Sequence, residues 1–126
     1  MPQNPVGWFE IYVQDMPRAR AFYETVLGQE LTKLDPPGDI PIEMMAFPMQ
    51  EDGAGAGGAL AKMEGVPSGG NSTLVYFSCE DCAVEAGRVA DAGGKVQHEK
   101  FPIGPHGFIA MAIDPDGNVF GLHSMK

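Results

Sequence analysis

The sequence predicts an α+β fold made of two βαβββ modules, and three observations carry that reading. The first is an internal repeat. The run Trp8-Phe9-Glu10-Ile11-Tyr12-Val13-Gln14-Asp15-Met16, continuing through Phe22-Tyr23 to Gly28, is matched by Leu74-Val75-Tyr76-Phe77-Ser78-Cys79-Glu80-Asp81-Cys82, continuing to Gly93-Gly94. Asp15 maps to Asp81 and Gly28 to Gly94 at one offset of 66 residues, about half the chain, which signals duplication rather than a solenoid. The second is a change of hydrophobic period, from two to helical, at the same point in each copy. The third is a set of three strand-like runs, separated by turn chemistry, after each helix.

The elements follow in order. Phe9, Ile11 and Val13 alternate along the opening strand of the first copy, as Val75, Phe77 and Cys79 do in the second. Each strand meets an acidic cap, Asp15 before Met16-Pro17 and Asp81 before Cys82-Ala83. An aspartate carboxylate accepts the orphan N–H groups of a helix start, and proline is tolerated in the first turn. Met16, Ala19, Phe22, Tyr23 and Val26 recur at helical spacing; Cys82, Ala86, Val89 and Ala90 do so more weakly in a second helix running to Gly93-Gly94. Glycine beyond each helix is expected to supply a left-handed C-cap. The following strands are expected at residues 30–34, 42–47 and 59–63, then at 95–97, 108–113 and 119–123, the last two joined by Asp114-Pro115-Asp116-Gly117-Asn118. Residues 35–41, 51–58 and 65–71 are Gly/Pro-rich loops. The expected organisation is one domain, with module one at 7–63, a linker at 64–72 and module two at 73–124.

The chain has 126 residues, 44% hydrophobic and 20% charged, enough for one packed core. Eight basic residues against 17 acidic ones give a net charge of −9. That leaves little material for a phosphate-binding face, so no nucleic-acid partner is expected, and an anionic membrane surface would repel the chain. No apolar run approaches the roughly 20 residues of a membrane span, and residues 1–6 show no signal-peptide pattern. Two cysteines make no disulfide framework, and a cytoplasmic location is expected.

Phe9-Glu10-Ile11-Tyr12-Val13-Gln14-Asp15-Met16, then Ala21-Phe22-Tyr23 and Leu27-Gly28, together with Asp114-Pro115-Asp116-Gly117-Asn118-Val119-Phe120-Gly121-Leu122-His123, resemble the glyoxalase/bleomycin-resistance/extradiol-dioxygenase (vicinal oxygen chelate) superfamily over residues 7–124. The resemblance implies two βαβββ modules forming a curled mixed sheet around a shared cleft, a homodimer, and small-molecule chemistry. It is nearest to small glyoxalase-like proteins. In metal-dependent members, ligands stand at the start of each module's first strand and on each module's last strand. Here those positions are Trp8, Leu74, Gly121 and one near Ala61. Trp8, Leu74 and Gly121 offer no oxygen or imidazole nitrogen, whereas a divalent cation needs several such donors converging. No metal and no other cofactor is expected.

If Phe9, Ile11 and Val13 pack on the helix, then Trp8, Glu10 and Tyr12 face the cleft, as do Leu74, Tyr76 and Ser78, and Val119, Gly121 and His123. Glu10 and His123 each lie two residues beyond a vacant ligand position. A carboxylate and an imidazole in a partly apolar cleft could act as a catalytic acid–base pair or hold a polar ligand. They could equally form a structural hydrogen bond that plugs the cleft. Trp8, Tyr12, Leu74, Tyr76, Met111, Gly121 and the loop residue His106 are the candidate ligand contacts; Met44, Met45 and Met111 also suit an ordinary core. Cys79 and Cys82 read as C-x-x-C, but the intervening Glu80 and Asp81 oppose a thiolate, and both positions replace apolar residues of the first copy. His98 reads as an exposed strand or loop residue, and the Gly-rich run 53–58 as a flexible turn that lacks the helix and lysine of a phosphate loop. Two functions of different class stay open: a binding protein that sequesters a small, partly aromatic compound, and a lyase- or isomerase-type enzyme using Glu10 and His123.

Overall fold

The computed structural model describes residues 4–36, 38–50, 52–53, 55–70, 72–115 and 117–126. The loop positions Pro37, Glu51, Ala54, Asn71 and Asp116 and the first three residues of the chain lie outside that description. The elements run β1 (Val6–Tyr12), α1 (Met16–Leu27), β2 (Thr32–Leu34), β3 (Ile42–Ala46), β4 (Gly57–Met63), β5 (Thr73–Ser78), α2 (Cys82–Ala86), β6 (Lys95–Pro102), a 3₁₀ turn (Gly104–His106), β7 (Phe108–Ile113) and β8 (Val119–Ser124). Strand–helix–three strands occurs twice, the α+β plan the repeat predicts.

Two compact units divide the chain: Trp8–Thr73, and Met1–Gly7 with Leu74–Lys126. In Trp8–Thr73 the strand order is β2-β3-β4-β1, with β1 and β4 parallel and the other pairs antiparallel. In the other unit the order is β5-β8-β7-β6, with β5 and β8 parallel and the rest antiparallel. The start of the chain joins this second unit, where Ser78 N–H donates to the Pro5 carbonyl at 2.8 Å.

Both helix starts form as their acidic residues require. Asp15 Oδ1 accepts from Arg18 N–H and Asp81 Oδ1 from Ala83 N–H, each at 3.0 Å, and both caps have extended backbone. The first helix ends on Gly28, left-handed at φ 67°. Its last turn is tied down by Glu24, whose carboxylate accepts from Arg20 Nε at 2.9 Å and from Leu31 N–H at 2.8 Å. The Arg20 guanidinium, then the Leu31 amide, hold that carboxyl below its ordinary range.

The second helix is shorter than its periodicity suggests. Regular helix stops at Ala86 because Gly87 follows, and glycine costs about 1 kcal/mol relative to alanine inside a helix. Residues 87–93 continue as turns, and the coil closes where Gly94 N–H donates to the Val89 carbonyl, with Gly93 at φ 101°. A left-handed glycine therefore ends this stretch, but as a turn closure rather than a helix cap. Two strands also differ from the sequence reading. β6 extends to Pro102 through two irregularities of register, and β4 begins at Gly57, inside the run read as a turn.

In each unit the strands pack one face on the helix. In the first unit Val13, Met16, Leu31, Met45 and Leu60 form the buried core, with Ile11, Ala19, Tyr23 and Phe47 against it. In the second, Cys82, Ala86, Ala110 and Leu122 do so, with Phe77, Cys79, Phe108 and Phe120 alongside. Burying a side chain such as Leu31 or Leu60 stabilises by about 1.5–3 kcal/mol. Gly58 is required by its neighbour: a Cβ there would stand 2.4 Å from the Phe9 ring, which also packs on Phe47 at 5.6 Å between centroids. Gly58→Ala is accordingly expected to destabilise by about 1–3 kcal/mol through overpacking. Urea denaturation checks this, and an unchanged midpoint would show that the Phe9 ring can move aside without loss.

Candidate functional site

Strand alternation decides what the helix-free faces carry. In Trp8–Thr73, β1 and β4 lie side by side with Trp8 beside Gly57, Glu10 beside Ala59 and Tyr12 beside Ala61. Across β4, Ala46 and Met44 take the same face next to Ala59 and Ala61. The face is thus a row of large groups, a row of hydrogens and methyls, then Met44. Of the two methionines on β3, Met45 belongs to the helix-side core and Met44 to this opposite face; both are buried.

Glu10 is the charged group at the centre of that row, and it is buried at 7% exposure. Its neighbours two residues away on the same strand both donate to it. Trp8 Nε1–H reaches Oε2 at 3.1 Å and the Tyr12 hydroxyl reaches Oε1 at 2.9 Å. A buried carboxylate needs such donors, since desolvating it unpaired costs several kcal/mol. The same arrangement acts back on Tyr12. Burial first, then the Glu10 charge and the hydrogen bond to it, push the phenol well above its ordinary range. The Trp8 indole also lies against Gly57, where a Cβ would stand 3.4 Å from the ring and 3.0 Å from Met49 Sδ. Gly57 and Met49 are therefore site neighbours that the sequence reading missed. The available signal was the parity of Gly57, Ala59 and Ala61 along one strand face.

In the second unit, Tyr76 pairs with Gly121 across the parallel β5–β8 ladder, and Met111 pairs with Gly121 across β7–β8. Leu74, Tyr76 and Ser78 share a face with Gly121, His123 and Met111, opposite the α2 core. The Tyr76 ring lies over Gly121 so closely that a Cβ there would stand 2.2 Å from it. His123 Nε2 sits 2.6 Å from the His106 carbonyl oxygen, so His106 bears on the site through its backbone.

Glu10 thus has Trp8 and Tyr12 as partners within its unit, and His123 has the His106 carbonyl within its own. Two hollows in Trp8–Thr73 are lined by residues other than Glu10. One of about 280 Å³ runs between α1 and β3, lined by Met16, Arg20, Glu24, Glu43 and Met45. The other, about 440 Å³, follows the β3–β4 loop past Met49, Gln50 and Gly57 and so borders Trp8.

The ligand positions implied by the resemblance can be placed by register. Since Tyr76 stands beside Gly121 and its repeat equivalent Glu10 stands beside Ala59, the module-one counterpart of Gly121 is Ala59, two residues before the expected Ala61. Trp8, Leu74, Ala59 and Gly121 together offer an indole N–H, which only donates, and otherwise carbon and hydrogen. That set does not fit a divalent cation. Among the described residues no three His, Cys, Asp or Glu side chains come together to hold one. The cysteines are equally unsuited to redox work: Cys82 is fully buried, and burial, then the Glu85 and Cys82 charges, push the Cys79 thiol up to about 11. His98 is exposed in β6, its ring 4.1 Å from that of Phe101.

No helix among the described residues is long and apolar enough to cross a membrane. The sequence is 31% identical over 116 residues to CFP32 of Mycobacterium bovis, a protein named as a glyoxylase; the match takes in 91% of this chain and 42% of that one. This chain therefore spans less than half the length of the curated relatives it matches. The fold is similar to methylmalonyl-CoA epimerase from Mycobacterium tuberculosis, with a TM-score of 0.67 at 15% identity, covering 97% of this chain and 88% of that one. It is similar also to a methylmalonyl-CoA epimerase variant of Streptomyces coelicolor solved with 2-nitronate-propionyl-CoA, with a TM-score of 0.63 at 17% identity and 98% of each chain covered. Residues 6–122 match the family model of the Glyoxalase/Bleomycin resistance protein/Dioxygenase superfamily, and with the duplicated βαβββ plan already in place, the chain belongs to that superfamily.

Proposed function

We propose that this protein binds a small, partly apolar ligand through the groups its helix-free faces present, and that it does so without the divalent metal usual in its superfamily. The contacts are Trp8, Tyr12, Leu74, Tyr76, Met111, Gly121 and the His106 loop, with Glu10 and His123 as the polar groups. The observation that carries the reading is the Trp8–Glu10–Tyr12 row. Where the superfamily's metal enzymes begin a ligand set, this chain has an indole, and the next residue on the same face is a carboxylate held by two donors. A carboxylate flanked by an indole N–H and a phenol O–H is an acceptor group, the kind that meets N–H or O–H groups of a ligand. The flanking aromatic and methyl surface suits an apolar body.

The reading takes the chain as a single cytoplasmic domain, module one at 7–63, linker at 64–72 and module two at 73–124, paired as a homodimer and without nucleic-acid or membrane partners.

A second reading, a lyase- or isomerase-type enzyme in which Glu10 and His123 serve as acid and base, draws on the fold's likeness to epimerases. It uses the same side chains, so one series of variants separates the two.

Elemental analysis of purified protein should find less than one divalent ion per chain, and the thermal midpoint should not move with chelator or added divalent ions. Stoichiometric metal would overturn the proposal. In a thermal-shift screen of small aromatic amines and phenols, Glu10→Gln is expected to weaken binding about tenfold, or ~1.4 kcal/mol. Turnover of a hit that is lost in Glu10→Gln or His123→Ala with folding intact would favour the enzyme; binding without turnover favours sequestration. Tyr12 offers a check on the row itself. A difference absorbance titration, wild type minus Tyr12→Phe, should show this phenol ionising above the ordinary tyrosine range of about 10. Its raised folded value means that the stability tied to the neutral phenol is fully present below that range and is lost as pH rises beyond it.

A further inference from the structure

The Ile103–Gly107 loop fixes one ring nitrogen of His123 and leaves the other bare. A carbonyl oxygen only accepts, so the 2.6 Å contact between His123 Nε2 and the His106 oxygen requires the proton on Nε2. In the neutral ring Nδ1 is then the lone-pair nitrogen. Nδ1 makes no hydrogen bond among the described residues. The ring stands on the helix-free face, two residues from Gly121, which has the Tyr76 ring over it and Met111 on the next strand.

The loop that sets this tautomer is itself tightly specified. Gly104 has φ 66° and Gly107 has φ 94° with ψ −130°, conformations open to glycine. Ile103 N–H donates to the Gly107 carbonyl at 2.9 Å and closes the turn. A Cβ on Gly107 would stand 2.3 Å from the Ser124 carbonyl oxygen and 3.0 Å from Met125 Cα, so the loop is pressed onto the end of β8, next to His123. Ser124 anchors that end in turn: its hydroxyl accepts from Cys82 N–H and donates to the Lys126 carbonyl, each at 2.9 Å. If the loop needed only a latch, any side-chain donor would serve; an imidazole adds a second nitrogen.

We propose that the Gly104–Gly107 turn is a positioning element that holds His123 as the Nε2–H tautomer, so that Nδ1 is the nitrogen offered to a ligand, as hydrogen-bond acceptor or proton acceptor. This rests on the reading of His123 as a ligand-facing group. It assigns the nitrogen, the residue that aims it and the kind of ligand atom it meets: a polarised N–H, O–H or acidic C–H.

The test needs no ligand. In a ¹⁵N–¹H long-range correlation spectrum of the full chain at a pH of about 9, above the ordinary histidine range, His123 is expected to show the Nε2–H pattern with Nδ1 unprotonated. An Nδ1–H pattern or an equal mixture of tautomers would overturn the proposal. Ethoxyformylation by diethyl pyrocarbonate, mapped by mass spectrometry, is expected to mark His123 in the folded protein, because an unprotonated accessible nitrogen is the nucleophile. Protection of His123 while exposed His98 reacts would overturn it, leaving His123 a latch. His123→Gln, whose amide can replace the Nε2 donor, should keep the amide shifts of Ile103, Gly104, His106 and Gly107, whereas Gly107→Ala, if it folds, should lose the single-tautomer signature in His123. Retention of that signature in a folded Gly107→Ala protein would sink the positioning role. Because these readouts are independent of any ligand, they can fail while the ligand screen succeeds, and the reverse.

Discussion

The packing of an aromatic ring against a residue that has no side chain is the constraint on which both sheets depend. Phe9 occupies the space over Gly58, and Tyr76 the space over Gly121. In each case the glycine lies on the strand that runs parallel to the ring's own. The two contacts use opposite faces. Phe9 over Gly58 thickens the helix-side core, where it meets Phe47 and through it Tyr23. Tyr76 over Gly121 covers the helix-free face. Because a sheet face admits a side chain only at every second residue, a ring at one position demands a small partner at the next strand's matching position. Register and composition are therefore one choice.

That constraint also bears on the positions where the resemblance implies metal ligands. Gly121 cannot carry a carboxylate while the Tyr76 ring lies where its Cβ would be, and Ala59 sits fully buried beside Glu10. The same face carries its ionisable groups two residues further along each strand, at Glu10 and His123. Glu10 is then satisfied locally, by neighbours on its own strand, and His123 by a backbone carbonyl of the adjoining loop.

The element ends follow the same accounting. Asp15 and Asp81 satisfy the first amides of their helices, Glu24 couples the end of α1 to Leu31, and Ser124 couples α2 to the last strand. Asp81 serves twice, since Lys100 also pairs with it at 2.9 Å while lying over the Phe108 ring. The two cap contacts are local and charge-assisted, which is why Asp15 and Asp81 were visible as caps in the sequence.

What the sequence by itself determined is what short range controls. The repeat set the order of elements, period-two alternation set which side of β1, β5 and β8 meets a helix, and aspartate before a periodic run set each helix start. Even the candidate face of Trp8, Glu10 and Tyr12 is a consequence of alternation alone. Tertiary structure decided what depends on neighbours distant in the chain. The glycine run could be assigned to strand only once Trp8 and Phe9 lay beside Gly57 and Gly58, since glycine has no intrinsic preference for a sheet. Ala59 rather than Ala61 follows from the parallel register, which no local pattern encodes. The donors to Glu10, the carbonyl on His123 Nε2 and the early end of α2 at Gly87 are likewise set by geometry, because a hydrogen bond depends on where two atoms are and not on which residues are present.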